Sequence, residues 1–306
     1  MIGYLLRRLV QSLLVLIIVL VLVYFLVNAV GDPARLMLPD NAPHSVYLAL
    51  RHRLGLDDPF FVRFLRTLKA WSHGSFGDSI WQGVPALPLA VGQLPALLLL
   101  AGATMAIALP SALTLGILSG SRRGSTPDRL ATGSSLFGVS VPDFWLGLML
   151  ILLFAVHFRI FPTSGYGDVS HLVLPALTLA PAVMGRLTQI TSSAVAEELT
   201  KPYAVAAEAK GLSSTRVLVT HVLKNASLPI ITLAGSELAT LLNGSVVIGI
   251  VFAWPGLGTL FIQAIERRDL PLVEACVFVV AIFVIVVNLL VDLSYGILDP
   301  RTNGRN

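Results

Sequence analysis

Long stretches of this chain carry no charge. No Asp, Glu, Lys or Arg lies between Arg8 and Asp32, between Asp78 and Arg122, or from Leu238 to Ile265. An uncharged apolar run of about 20 residues crosses a hydrocarbon core of about 30 Å. The pattern predicts six transmembrane helices, at roughly 9–30, 94–118, 132–156, 172–195, 228–252 and 272–297. Pro110, Pro142 and Pro181 fall inside them. Packed membrane helices tolerate proline because their neighbours satisfy the freed backbone groups. The first run is longer than the roughly 7–15 apolar residues of a secretion signal and lacks a small-x-small cleavage site, so it is expected to be a retained span.

Lys and Arg then set the orientation. With the N-terminus cytoplasmic, the short inner segments hold Arg7, Arg8, Arg122, Arg123, Arg129, Lys201, Lys210, Arg216, Lys224, Arg301 and Arg305. The short outer loops hold only Arg159, Arg267 and Arg268. This excess predicts both termini inside. Residues 31–93 become a long extracytoplasmic segment, in which "FFVRFLRTLKAW" has the i, i+3, i+4 apolar spacing of an amphipathic helix. Such a helix lies on the membrane surface or on other spans, or it docks a partner.

Residues 196–227 form the longest cytoplasmic loop. Pro202 suits the first turn of a helix, where its missing N–H matters least. The alanine-rich stretch from Tyr203 to Lys210 is helix-forming. Gly211 suits a left-handed helix end, and Ser213 or Ser214 can cap the next helix, which is expected to run to Pro229. Two short helices meeting at a glycine turn make either a solvated hairpin or a knob that fits a cleft on a soluble partner.

Composition agrees with this layout. The 306 residues are 55% hydrophobic and 12% charged, against about 25% charged in an ordinary soluble domain. The mean hydropathy is +0.82. The fold class is all-α, a polytopic membrane protein read as one transmembrane domain over 1–306. Its pI near 9.5 marks cytoplasmic loops rather than nucleic-acid binding. Cys276 lies in an apolar run and reads as a structural thiol.

Little catalytic chemistry is visible. There is no G-x-x-x-x-G-K-[ST] phosphate loop and no H-E-x-x-H, and the six histidines are scattered, so neither catalytic nor metal-ligating residues are expected. "GYGD" at 165–168 matches the G-x-G-D of intramembrane aspartyl proteases. That chemistry needs two carboxylates close enough to share a proton, whereas Asp168 is placed in a turn and Asp143 near the opposite membrane face. Inside the spans, Glu237 would cost about 2.5–3.5 kcal/mol if charged at mid-bilayer, so it faces either a wet path or a polar partner. Asn243 and Ser245 on the same helix suit either role. Arg186 and Asp292 are expected to snorkel to the inner interface. "WPGLG" at 254–258 predicts a rigid turn.

Several motifs resemble the dipeptide/oligopeptide branch of ABC-importer permeases. They are "LLRRL" (5–9), "VGDPA" (30–34), "LGLDDPF" (54–60), "GSFGDS" (74–79), "SVPDFW" (140–145), "HLVLPALTLA" (171–180), "AKGL" with "THVLKNASLP", "WPGLG" and "DLSYGILDPR" (292–301), in that order along the whole chain. Glu208, Gln189 and Gly249 depart from the branch, which usually has Arg, Arg and Glu there. The resemblance implies a type I importer permease that forms the path for di- or oligopeptides by alternating access. The related nickel-chelate, haem or small-solute carriers and an ion-coupled secondary transporter stand as alternatives. It implies a second homologous permease, cytoplasmic subunits that bind ATP and Mg, and an extracytoplasmic substrate-binding protein. By position, Tyr203, Ala207, Glu208, Lys210, Gly211 and Leu212 would contact the ATPase. Glu237, Asn243 and Ser245 would line the substrate path, and Trp254, Pro255 and Gly256 would lie at the outer gate.

Overall fold

In hydrocarbon a backbone must satisfy its own hydrogen bonds, and the apolar runs do so as helices. The computed structural model describes residues 2–298 apart from 30–32, 37, 39–41 and 54. In chain order the helices are α1 (Ile2–Ala29), α2 (Pro33–Leu36), α3 (His44–Arg53), α4 (Phe60–Ser72), α5 (Ala86–Val91), α6 (Leu94–Ser121), α7 (Thr126–Ser140) and α8 (Asp143–Leu150). A π-helical segment, Ile151–His157, prolongs α8. Then come α9 (Val169–Leu199), α10 (Pro202–Ala209), α11 (Ser214–Val217), a second π segment (Leu218–Val222), α12 (Leu223–Phe252), α13 (Leu257–Glu266) and α14 (Leu270–Leu298). Among the described residues there is no strand, only an isolated bridge between Asp78 and Pro85.

Among the described residues five stretches are long and apolar enough to cross a membrane: Arg7–Leu26, Ala86–Ser121, Val169–Leu199, Ser214–Leu242 and Leu270–Ser294. They correspond to five of the six expected spans. The expected third span, 132–156, is not one helix. It divides into α7 and α8, whose axes differ by 97°. Val141 takes φ −82°, ψ 125°, the extended geometry that a following proline favours. Pro110, Pro175, Pro181 and Pro229 by contrast sit within continuous helices. Residues 299–306, counted above with the cytoplasmic face, lie outside the described residues.

The chain forms two compact units. One comprises Met1–Leu5, Ala96–Pro255 and Val286–Asn306, the other Leu6–Pro95 and Gly256–Ile285. In the first, α9 is central. Leu174, Leu179, Val183 and Leu187 pack with Leu100 and Ala108 of α6 and with Ile248 and Phe252 of α12. Against α7 the backbones nearly touch: a Cβ on Gly138 would fall 2.2 Å from Pro181 O, and one on Gly185 2.5 Å from Ser135 O. The Ser135 hydroxyl donates to Gly185 O at 2.8 Å. Small residues and a crossing hydrogen bond hold membrane helices together where lipid supplies no hydrophobic drive.

In the second unit, the amphipathic stretch forms α4. Its Phe60, Phe64 and Trp71 surround Tyr24 of α1 with ring centroids 5.8, 5.4 and 6.1 Å away, while Phe61 and Leu65 remain exposed. A buried carboxylate ties the segment between α4 and α5 to the start of α14. Asp269 accepts from the Ser79 hydroxyl (2.5 Å), from Trp81 N–H (3.1 Å) and from Leu272 N–H (3.2 Å). Arg267 lies over the Trp81 ring, 5.1 Å from its centroid.

Candidate functional site

The loop between α9 and α12 is built from local rules. Lys201, before Pro202, takes φ −73°, ψ 148° and so breaks the helix there. Its ammonium bonds Glu198 (2.5 Å) and Glu197 (3.3 Å). Glu198 also accepts from the Tyr203 hydroxyl at 2.5 Å. The hydrogen bonds that Lys201 donates to Glu198, then Glu197, hold its pKa above the ordinary value. At the other end Gly211 has φ +86°. Leu212 N–H reaches Ala207 O (3.3 Å) and Gly211 N–H reaches Glu208 O (2.8 Å), the paired bonds that close a helix on a left-handed residue.

A small core fixes this turn to the spans. Ala204 of α10 packs with Ala194 and Val195 of α9 and with Val217, Val222 and Ala226, with Tyr203, Ala207 and Leu212 around them. The six residues assigned to the ATPase contact therefore divide. Tyr203, Ala207 and Leu212 turn inward and anchor the knob, whereas Glu208, Lys210 and Gly211 are exposed. Pro202, Val205, Ala206 and Ala209 are exposed as well and complete an outward face that the motif comparison passed over. Their 3–4-residue spacing was the available signal.

The second half of the loop differs from expectation. No separate helix ends at Pro229; α11, the π segment and α12 form one continuous helical run. Thr220 donates its hydroxyl to Arg216 O at the widened turn, competing with the regular ladder. Ser213 occupies the cap position but makes no side-chain cap bond.

Glu237 lies about 21 Å further along α12 from Leu223, near the middle of the helix. Arg186, near the middle of α9, reaches it with two bonds: Nε to Oε1 at 2.6 Å and an Nη to Oε2 at 2.7 Å. Glu237 thus has a polar partner, and Arg186 does not snorkel; its charge is matched across the helix pair. Asp292 is also buried. Asn243 and Ser245 continue α12, but their side chains lie outside the described residues.

The 254–256 turn follows Ala253, which adopts φ 50°, ψ 36°. Gly165 N–H donates to Phe252 O at 2.8 Å, meeting the open carbonyl of the helix end. The buried Trp254 donates its indole N–H to Ala96 O (3.2 Å) and stands edge-on to Tyr166, centroids 4.9 Å apart. Pro255 follows, and Gly256 is extended at φ −176°, a conformation open to any residue. Asp168 of the G-x-G-D match is a helix cap: it accepts from Ser170 N (3.0 Å) and Oγ (2.5 Å) and pairs with His171 Nδ1 (2.8 Å).

Membrane-length helices with an anchored helical knob between two of them define a polytopic membrane protein. The chain belongs to the family described as the binding-protein-dependent transport system inner membrane component. That family matches residues 112–304, and its N-terminal membrane component matches residues 1–82. The chain is 36% identical to the oligopeptide transport system permease protein AppB of Bacillus subtilis, over 98% of this chain and 99% of that protein. It is 36% identical to the glutathione transport system permease protein GsiC of Salmonella paratyphi A and 34% identical to the dipeptide transport system permease protein DppB of Escherichia coli K12, with 98% of each chain covered in both comparisons. A solved structure titled as an inward-facing conformation of the MetNI methionine ABC transporter superposes with a TM-score of 0.53 at 18% identity, covering 68% of this chain and 93% of that one. It shares the fold.

Proposed function

We propose that the chain is one of two homologous permease subunits of an ATP-driven importer for di- or oligopeptides. The observation that carries this is the knob from Pro202 to Leu212, rigidly seated on α9 and α12 with an exposed outer face. Cytoplasmic subunits holding ATP and Mg would dock there through Val205, Ala206, Glu208, Ala209, Lys210 and Gly211. Their closure would be passed by Tyr203, Ala207 and Leu212 into the spans, which rock between two states. The proposed topology has six spans, with both termini and residues 196–227 cytoplasmic and 31–93 outside. A binding protein would deliver substrate there, near Trp254, Pro255 and Gly256, and Glu237, Asn243 and Ser245 would face the path.

Family membership supports this reading over an ion-coupled carrier. The names of the three relatives given above, all of peptides, favour that cargo over nickel chelates or haem. The test is to purify the protein from its native membrane in mild detergent, with and without Gly211→Pro, and to assay bound ATPase. An ATPase that accompanies the native chain and is lost or uncoupled in the variant is the expected result. Intact chain with no ATPase on either form overturns the proposal.

A further inference from the structure

Helices α6, α12 and α14 line a groove of about 660 Å³. Leu109 and Leu113 face Ile230, Ala234, Leu290 and Val291 across it, and Ser227 and Ser294 are its only polar lining residues among those described. Both hydroxyls are spent on their own helices, Ser227 on Lys224 O and Ser294 on Val291 O. One wall is fixed by contact at Gly235, where a Cβ would fall 2.1 Å from Val291 Cγ2.

The groove suits hydrocarbon and little else. A peptide would find no partner for its charged ends. Along α12 the lining runs from Leu223 to Leu238, about 22 Å, which covers the roughly 15 Å that an acyl chain reaches in its half of the hydrocarbon core. At one end Lys224 is exposed. It continues the face of Ser227, Ile231, Ala234 and Leu238 at 3–4-residue spacing, and its ammonium forms no ion pair among the described residues.

We propose that this groove seats an acyl chain of an anionic phospholipid whose phosphate is held by Lys224. The proposal rests on the topology given above, which puts Lys224 at the cytoplasmic leaflet, where anionic lipids gather. The test is native mass spectrometry of the full chain with its co-purifying subunits, after detergent exchange and addition of palmitoyl-oleoyl phosphatidylglycerol or phosphatidylcholine. The expected result is one retained phosphatidylglycerol, preferred about fivefold, the worth of one lysine near the headgroups. Lys224→Gln should equalise the two lipids, and Ala234→Phe, or the milder Ala234→Leu, should lower retention of both. Arg216→Gln, a cation outside the groove, should leave the preference as it was. The proposal fails if the wild type shows no preference, if the preference survives Lys224→Gln, or if both groove-filled variants keep the lipid. It also fails if they release a second permease chain without changing the lipid count, because the groove then belongs to that subunit. ATPase association, read on the same samples, reports separately on the function proposed above.

Discussion

Replacing Glu237 by Gln leaves Arg186 without its counter-charge in the middle of two membrane helices. With charge centres about 4 Å apart and an effective dielectric of ~20, the lost attraction is about 4 kcal/mol. Removing one member of a buried pair costs about 3–5 kcal/mol, because the other charge is stranded. The exposures set where in that range the cost falls. Glu237 is 5% exposed but Arg186 is 38% exposed, so the stranded guanidinium is the less enclosed of the two and the lower end, about 3 kcal/mol, is expected. Arg186→Gln strands the more enclosed carboxylate and should fall at the upper end, about 5 kcal/mol. The double variant Arg186→Leu/Glu237→Leu removes both charges and should fall within about 1 kcal/mol of the native protein. Denaturant unfolding of these proteins together with Arg186→Gln/Glu237→Gln, in one detergent, closes the cycle and gives the coupling energy. Additive single effects, or a Glu237→Gln cost below about 1 kcal/mol, would refute the account of the pair as a structural tie. Altered uptake in a stably assembled Glu237→Gln protein would in addition support its place on the path.

Three further outcomes follow from geometry. Gly211→Ala has open space for its Cβ, so its cost is backbone strain alone, about 1–2 kcal/mol; hydrogen exchange should quicken over 203–212 and stay unchanged at the centre of α9. Gly138→Val drives a side chain into the Pro181 carbonyl and should destabilise the α7–α9 contact by about 1–3 kcal/mol, read as a lower unfolding midpoint. The bonds from Ser170 and then His171 hold Asp168 at about 2, below its ordinary 3.8. Its cap on α9 is therefore complete above pH 3.8 and lost as the pH falls toward 2, and Asp168→Ala should abolish this acid-dependent fraying in circular dichroism.

Features governed by near neighbours in the chain could be read from the sequence. Five spans, the amphipathic α4, the start at Pro202 and the turn at Gly211 each depend on periodicity or on one residue's backbone preference. The break at Val141–Pro142 could not be read this way, because Pro110, Pro181 and Pro229 carry the same local signal and stay helical. What surrounds each proline decides, and that is tertiary. The Arg186–Glu237 pair joins residues 51 positions apart, and its existence depends on the register of two helices. In α10 the helix was legible, while the division into anchoring and displayed residues required knowing where Val217 and Val222 lie.

The Asp269 clamp has a consequence for biosynthesis. Ser79 and Asp269 are 190 positions apart. At about 5–20 residues per second, the ribosome needs roughly 10–40 s to make the carboxylate after the hydroxyl has emerged. Through that interval Ser79 and the Trp81 amide lack the Asp269 carboxylate, and the segment between α4 and α5 stays unsealed. A chain cut short before Asp269 never receives that seal. A later-made part of the protein thus certifies an earlier one.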